Sequence, residues 1–476
     1  MTLRIDIILA LALAGSLAGC AVGPTYERIT PEQAAPGQFN AAPAHAGMAH
    51  ITERDAWWYG FQDAGLNALV QAALRQSPDI ATAEANIRQA RAGVTQAAGA
   101  QALQVSGTGR VGRDQISKEG ENFANIPFPN PQTGFTDYRG GLDASWEIDL
   151  FGHTARTVES ARARVGGMEA QREAVALSIS AETARNVLDY RHLQLRIANA
   201  RVAAADEREL SGLVRLQRAA GMASDIEVTQ AEVAVQNAEA ALPPLEAAAQ
   251  AAVAALIPLT GMPREAIAAQ LGNASAGPVL PEARHFAVSS RVLERRPDIR
   301  AAERQLASAT AEVGAAMADQ YPRFTLVGDA GWESIHPGQF GRQASRYWNI
   351  GPQLYVPILN GGQVRAEIAQ SRAAQDAALS GYRKAVLAAL ADTESAMLRC
   401  QGDHGRLARL DAAYSLQSGQ IDLTQKRVDA GEAPRIDLLN TRIQREGLAD
   451  QQLATRQALA EDLVLLYKAL GGNAEE

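Results

Sequence analysis

The chain has 476 residues, with 53 acidic against 45 basic side chains and a formal net charge of -8. That balance argues against a nucleic-acid partner, which needs a basic surface. Only 5% of residues are aromatic while alanine recurs throughout, which suits closely spaced long helices better than one compact core.

The N-terminus, MTLRIDIILALALAGSLAGC, has a basic residue at Arg4, an apolar run from Ile7 to Leu13, and small residues before Cys20. Residues 1–19 read as a secretory signal peptide, too short to span a membrane. The ending Leu17-Ala18-Gly19-Cys20 resembles a bacterial lipobox, which implies cleavage before Cys20 and acylation of its thiol as a lipid anchor. Ala21 stands where lipoproteins retained in the inner membrane usually carry Asp, so the outer membrane is favoured. With Cys20 acylated, Cys400 is the one thiol left and no intramolecular disulfide can form.

A segment of residues 20–76 leads to QSPDIATAE, starting at Gln76, and a near copy, RRPDIRAAE, starts at Arg295. Pro297 lies 219 positions after Pro78. GMASDIEV at 221–228 and GEAPRIDL at 431–438 are 210 apart, as are ALIPLTG and LLYKALG. The chain is therefore two copies of one unit, 77–262 and 296–472, joined by a linker at 263–295.

Each copy follows the same order. An Ala-rich helix opens it, and Pro at the first helical position with Asp in the first turn suits a helix start. Strand pairs follow at 102–148 and 322–358, where Leu142, Ala144, Trp146 and Ile148 alternate at period two. Phe324, Leu326, Gly328 and Ala330 do the same, as do Ile350, Pro352, Leu354 and Val356. Long helical hairpins, 153–257 and 362–470, close each copy. Val158, Val165, Ile179, Leu193 and Val214 fall on a seven-residue register, so the outgoing helix needs a coiled-coil neighbour. The return helix supplies it, and Pro243-Pro244 should kink or restart that helix.

Four strands per chain cannot close a barrel, and open edges are not permitted in a bilayer. Three copies would give twelve strands; two or four copies also close the sheet. Strands of this length cross a bilayer when tilted.

Five stretches then carry a resemblance: CAVGPTYER at 20–28, WWYGFQDAGLNALV at 57–70, SWEIDLFG at 145–152, ERRPDIRAAERQL at 294–306 and PILNGG at 357–362. Together they resemble the TolC/OprM outer-membrane efflux proteins, in the NodT-type lipoprotein branch. The resemblance implies an α+β membrane protein: a homotrimer with a twelve-stranded transmembrane β-barrel continued by a periplasmic α-helical barrel. It also implies contact with outer-membrane lipid, a periplasmic adaptor protein and an inner-membrane RND-type pump, for export of drugs or other small toxic solutes. The 20–76 segment is then expected to wrap the helical barrel.

By the same resemblance, the hairpin tips Gly221-Met222-Ala223-Ser224 and Gly431-Glu432-Ala433-Pro434 meet the adaptor. The residues alone equally suit glycine-capped helix turns. Asp437 matches an aspartate lining the family's periplasmic aperture. Asn440 matches a second position that is usually aspartate, so this chain departs there. Glu227 is the counterpart of Asp437 in the first copy. Three aspartates around a narrow axis would repel one another and attract cations.

Asp149-Leu150-Phe151-Gly152 and Ile358-Leu359-Asn360-Gly361 mark strand-to-helix junctions, and Trp57 and Trp58 are expected to pack on helices. No HExxH, GxSxG or phosphate-binding glycine loop is present, so no cofactor, metal or enzymatic activity is expected. A lipid-anchored coiled-coil scaffold would not need four membrane-length strands.

Overall fold

The computed structural model describes residues 21–36, 45–47, 56–117, 133–272, 277–281, 284–286 and 293–472. The chain forms two compact units. One holds Met1–Arg28, Arg88–Gly167 and Glu303–Ser380; the other holds Ile29–Ile87, Met168–Ala302 and Gly381–Glu476.

The first unit is organised by a four-stranded antiparallel sheet in chain order. Its strands are β1 (Gln104–Gln115), β2 (Gly134–Ile148), β3 (Arg323–Ser334) and β4 (Arg346–Tyr355). The register sorts side chains by polarity. Val105 pairs with Ala144, Ala144 with Gly328, and Gly328 with Ile350. That face also carries Leu142, Trp146, Leu326, Trp332, Trp348 and Leu354, all large apolar groups more than a third exposed. Thr108, Asp143, Glu147, Thr325, Asp329, Asn349 and Gln353 share the other face. Apolar-out, polar-in alternation over strands of 10 to 15 residues is the pattern of a transmembrane barrel wall. Among the described residues β1 and β4 are the edges of this sheet, leaving hydrogen-bonding groups open to further strands.

The duplication is visible in lengths. The opening helices α1 (Pro78–Gly99) and α2 (Pro297–Ala318) each have 22 residues. The outgoing helices α3 (His153–Ala219) and α4 (Gln363–Asp429) each have 67, on the order of 100 Å at 1.5 Å per residue. β1 and β3 correspond at an offset of 219 and α3 and α4 at 210, so the nine-residue difference falls between them.

The second unit holds the hairpins and the main core. Returning from α3, the chain forms α5 (Asp225–Ala240) and α6 (Leu242–Thr260), with Pro243 and Pro244 in the first turn of α6. Proline cannot donate to the preceding turn, so the helix restarts as expected. The second return is one uninterrupted helix, α7 (Arg435–Ala469). Arginines seven apart on α3 meet glutamates seven apart on the return: Arg201 with Glu246, Arg208 with Glu239 and Arg215 with Glu232, at 2.7–2.8 Å. The second hairpin keeps one such rung, Arg456 with Asp411.

Trp57, Phe61, Leu66, Leu69, Leu188, Leu256, Leu463 and Tyr467 form the centre of the core, each at most 2% exposed. Burying one such side chain contributes about 1.5–3 kcal/mol. Trp57 stacks on Tyr467 with ring centroids 5.1 Å apart. Asp63 caps the helix Ala64–Gln76 by accepting from Leu66 N at 2.9 Å. Arg191 grips the same carboxylate at 2.8 and 3.3 Å. Burial alone would raise the Asp63 pKa, but the hydrogen bonds from Arg191 and Leu66 outweigh it and hold the carboxyl below its ordinary value. Arg296, part of the basic pair beside the second Pro-Asp-Ile, is buried: it grips Asp298 at 2.8 Å and donates to the carbonyl of Ala469.

Candidate functional site

Both hairpin tips are built by the same local chemistry. At the first, Gly221 adopts a positive φ of 75°, and Met222 N donates to Gln217 O at 2.8 Å. At the second, Gly431 has φ 74° and Glu432 N donates to Arg427 O at 2.8 Å. This is the Schellman closure, in which glycine takes the left-handed position that other residues adopt at a cost. Ala223 and Ala433 are half-buried at equivalent places, while Met222, Ser224, Glu432 and Pro434 are exposed. Met222, a large apolar side chain, is 72% exposed.

The return helices begin differently. Ser224 and Glu227 form a reciprocal capping box: Glu227 N donates to Ser224 Oγ at 3.3 Å, and Ser224 N donates to Glu227 Oε2 at 2.6 Å. The hydrogen bonds that its carboxylate accepts from Ser224 N and Ser224 Oγ pull the Glu227 pKa down. Its carboxylate therefore serves its own helix end. Pro434 caps the second return without a side-chain hydrogen bond, and Asp437 sits exposed in the first turn. Among the described residues the Asp437 carboxylate has no ion pair or hydrogen-bond partner. Asn440, one turn on, is exposed, whereas Leu438 and Leu439 between them are buried. Asp437 and Asn440 thus share an open helix face, and Glu227 lies on the other hairpin.

Two ion pairs at the tips were not singled out from sequence. Arg218 and Asp225 close the first turn at 2.7 Å. Arg435, two residues before Asp437, donates to Glu209 on α3 at 2.5 Å, across 226 residues of sequence. The hydrogen bond from Arg435 holds the Glu209 carboxyl below its ordinary pKa. No local pattern in the sequence announces the Arg435–Glu209 pairing, which joins residues of different repeats.

Cys20 lies outside the described residues, but the chain just after it is firmly placed. Val22 N donates to Phe151 O at 3.1 Å. Gly152, with φ 82°, lets Ala21 approach so closely that a Cβ there would stand 2.7 Å from the alanine's own. Arg156, buried, donates to the carbonyl oxygens of Val22 and Gly23. Ala21 is therefore held at the junction where β2 gives way to α3.

A family model for outer membrane efflux proteins matches this chain twice, at residues 69–262 and 288–472. The chain belongs to that family. It is 30% identical over 452 residues to the pyoverdine export outer membrane protein OpmQ of Pseudomonas aeruginosa, covering 95% of this chain and 94% of that one. Nodulation protein T of Rhizobium leguminosarum bv. viciae is 28% identical over 465 residues, covering 96% and 91%. Among solved structures, the outer-membrane channel OprN superposes with a TM-score of 0.81 at 28% identity, covering 95% of this chain and 99% of that one. The open state of the Neisseria gonorrhoeae MtrE outer membrane channel gives 0.77 at 23% identity, covering 95% and 98%, and shows the fold alone. The fold, four antiparallel strands joined to long helical hairpins, is accordingly that of the outer-membrane channels it superposes on. The protein is an outer-membrane exit duct.

Proposed function

We propose that this duct is the outer-membrane component of a tripartite efflux assembly, passing drugs or other small toxic solutes delivered by an inner-membrane RND-type pump and a periplasmic adaptor. The observation that carries the proposal is the pair of hairpin tips: exposed and built alike, the second opening the helix that carries the open carboxylate of Asp437. In a trimer, three Asp437 side chains around one axis make a charged ring that repels itself and favours cations. Asn440 leaves the next turn uncharged, which lowers the charge density of the ring. Gly221 to Ser224 and Gly431 to Pro434 provide the adaptor-facing surface. Glu227 acts as a helix cap. Acylation of Cys20 would tether the chain beside the β2–α3 junction, the level at which a barrel strand leaves the bilayer, and the clamp on Ala21 supports that placement.

The test is the native mass of detergent-extracted protein together with its current in a planar bilayer. A trimer passing small cation-selective currents supports the proposal. A monomer, or a trimer that passes no current, overturns it.

A further inference from the structure

The polar face of the sheet holds an arrangement that the export reading does not use. Tyr347 on β4 pairs with Gly331 on β3, which pairs with Gly141 on β2. A Cβ on Gly141 would stand 2.6 Å from the Ala330 carbonyl oxygen of β3 and 2.7 Å from the Tyr347 hydroxyl. The phenol therefore crosses the glycine of the adjacent strand and ends over the glycine of the next. A Cβ on Gly331 would collide with the Gly140 carbonyl oxygen, so the paired glycines bring β2 and β3 close together and leave a bare slot over which the phenol lies. Tyr347 is half-buried there, whereas Trp348, on the apolar face, is 76% exposed.

Arg139 closes the slot. Its guanidinium lies 4.6 Å from the Tyr347 ring centroid and its Nε donates to the hydroxyl at 3.2 Å. A cation over an aromatic face is held by the ring quadrupole. The same guanidinium lies 3.6 Å from Asp329 and 3.8 Å from Glu333, so its position is set from two further points.

We infer that Gly141, Gly331 and Arg139 stow Tyr347 flat against the barrel wall and so set the bore of the duct toward the end of the sheet remote from the helices. This rests on the duct reading. In a trimer, three phenols lie at one level, and each would narrow the lumen if it stood away from the wall.

The experiment measures which neutral polymers of graded size, added on the outer side of a planar bilayer, enter the pore and lower its current. Polymer entry reports the outer half whatever the state of the far aperture. Trimers of Arg139→Ala should exclude polymers that wild type admits, because the phenol loses the cation and the hydrogen bond that hold it to the wall. Tyr347→Ala alone should keep the wild-type cut-off, and Arg139→Ala with Tyr347→Ala should restore it. Restoration separates release of the phenol from mere damage to strand pairing. A larger cut-off in Tyr347→Ala overturns the inference, since the tyrosine then stood in the lumen, and that result stands even if Arg139→Ala fails to assemble. An unchanged cut-off in Arg139→Ala trimers, or no restoration in the double variant, overturns it as well. A wild-type trimer that passes no current removes the duct reading itself, and the inference with it.

Discussion

Arg435 Nε lies 2.5 Å from Glu209 Oε1, tying the start of the second return helix to the outgoing helix of the first hairpin. The pair sits two residues from Asp437, so movement of the second tip relative to α3 must break it. Both side chains are exposed, and such pairs contribute little to global stability. Their effect is local.

Arg435→Ala and Glu209→Gln should therefore raise single-trimer conductance several-fold while leaving thermal stability unchanged. Acid should act the same way. Arg435 holds the Glu209 carboxyl below its ordinary value of 4.5, so the pair is intact above that value and is lost as pH falls through the lowered pKa. Bilayer currents recorded across that range check both statements. A conductance insensitive to both variants removes the latch.

On the proposed aperture reading, Asp437→Asn should lower cation selectivity without changing the trimer, because it deletes one exposed charge per chain and makes no new contact. Reversal potentials in a salt gradient measure the change. Asn440→Asp should shift them the other way, since it adds three charges one turn along the same helix.

Asp63 and Arg191 are 9% and 6% exposed at the side chain, so removing one partner strands a buried charge. Arg191→Ala should destabilise the fold by about 3–5 kcal/mol. The loss should be complete at neutral pH. It should shrink in acid, because the Asp63 contribution is present above its ordinary value of 3.8 and disappears as pH falls through the depressed folded pKa. Denaturant melts of both proteins at several pH values test this.

Glu461 on α7 behaves in the opposite sense. Burial first, and then the hydrogen bond and charge of Asp189, push its pKa up to about 7. A carboxyl raised on folding is stabilising when protonated, and that stability drains away as pH rises from 4.5 through 7. Glu461→Gln should be more stable than wild type at pH ~8, with the advantage shrinking as the medium is acidified. Melting temperatures that fall in parallel for both proteins would contradict it.

Much of this molecule is readable from local patterns. Period-two alternation marked the strands, and their register then placed Leu142, Trp146 and Leu326 on one face. The Gly-x-x-Ser/Pro tips announced their closures because a helix end is satisfied within about five residues of itself. The restart at Pro243-Pro244 needed only the missing donors of proline. Glu227 and Asp437 correspond between the repeats but are held differently: Ser224, three residues earlier, engages Glu227 in a capping box, while Pro434 leaves Asp437 open.

The sequence by itself thus determined the duplication, the strands, the long helices and the chemistry of their ends. All of these depend on contacts a few residues apart or on a repeating period. Only the tertiary structure decided that Arg435 meets Glu209, that Arg191 meets Asp63, and that Tyr347 lies over Gly141. Those partners are separated by more than a hundred residues, and a surface arginine or a strand tyrosine looks the same in sequence whichever partner it finds. Register between strands, and between helices packed side by side, selects one pairing from many compatible with the same pattern.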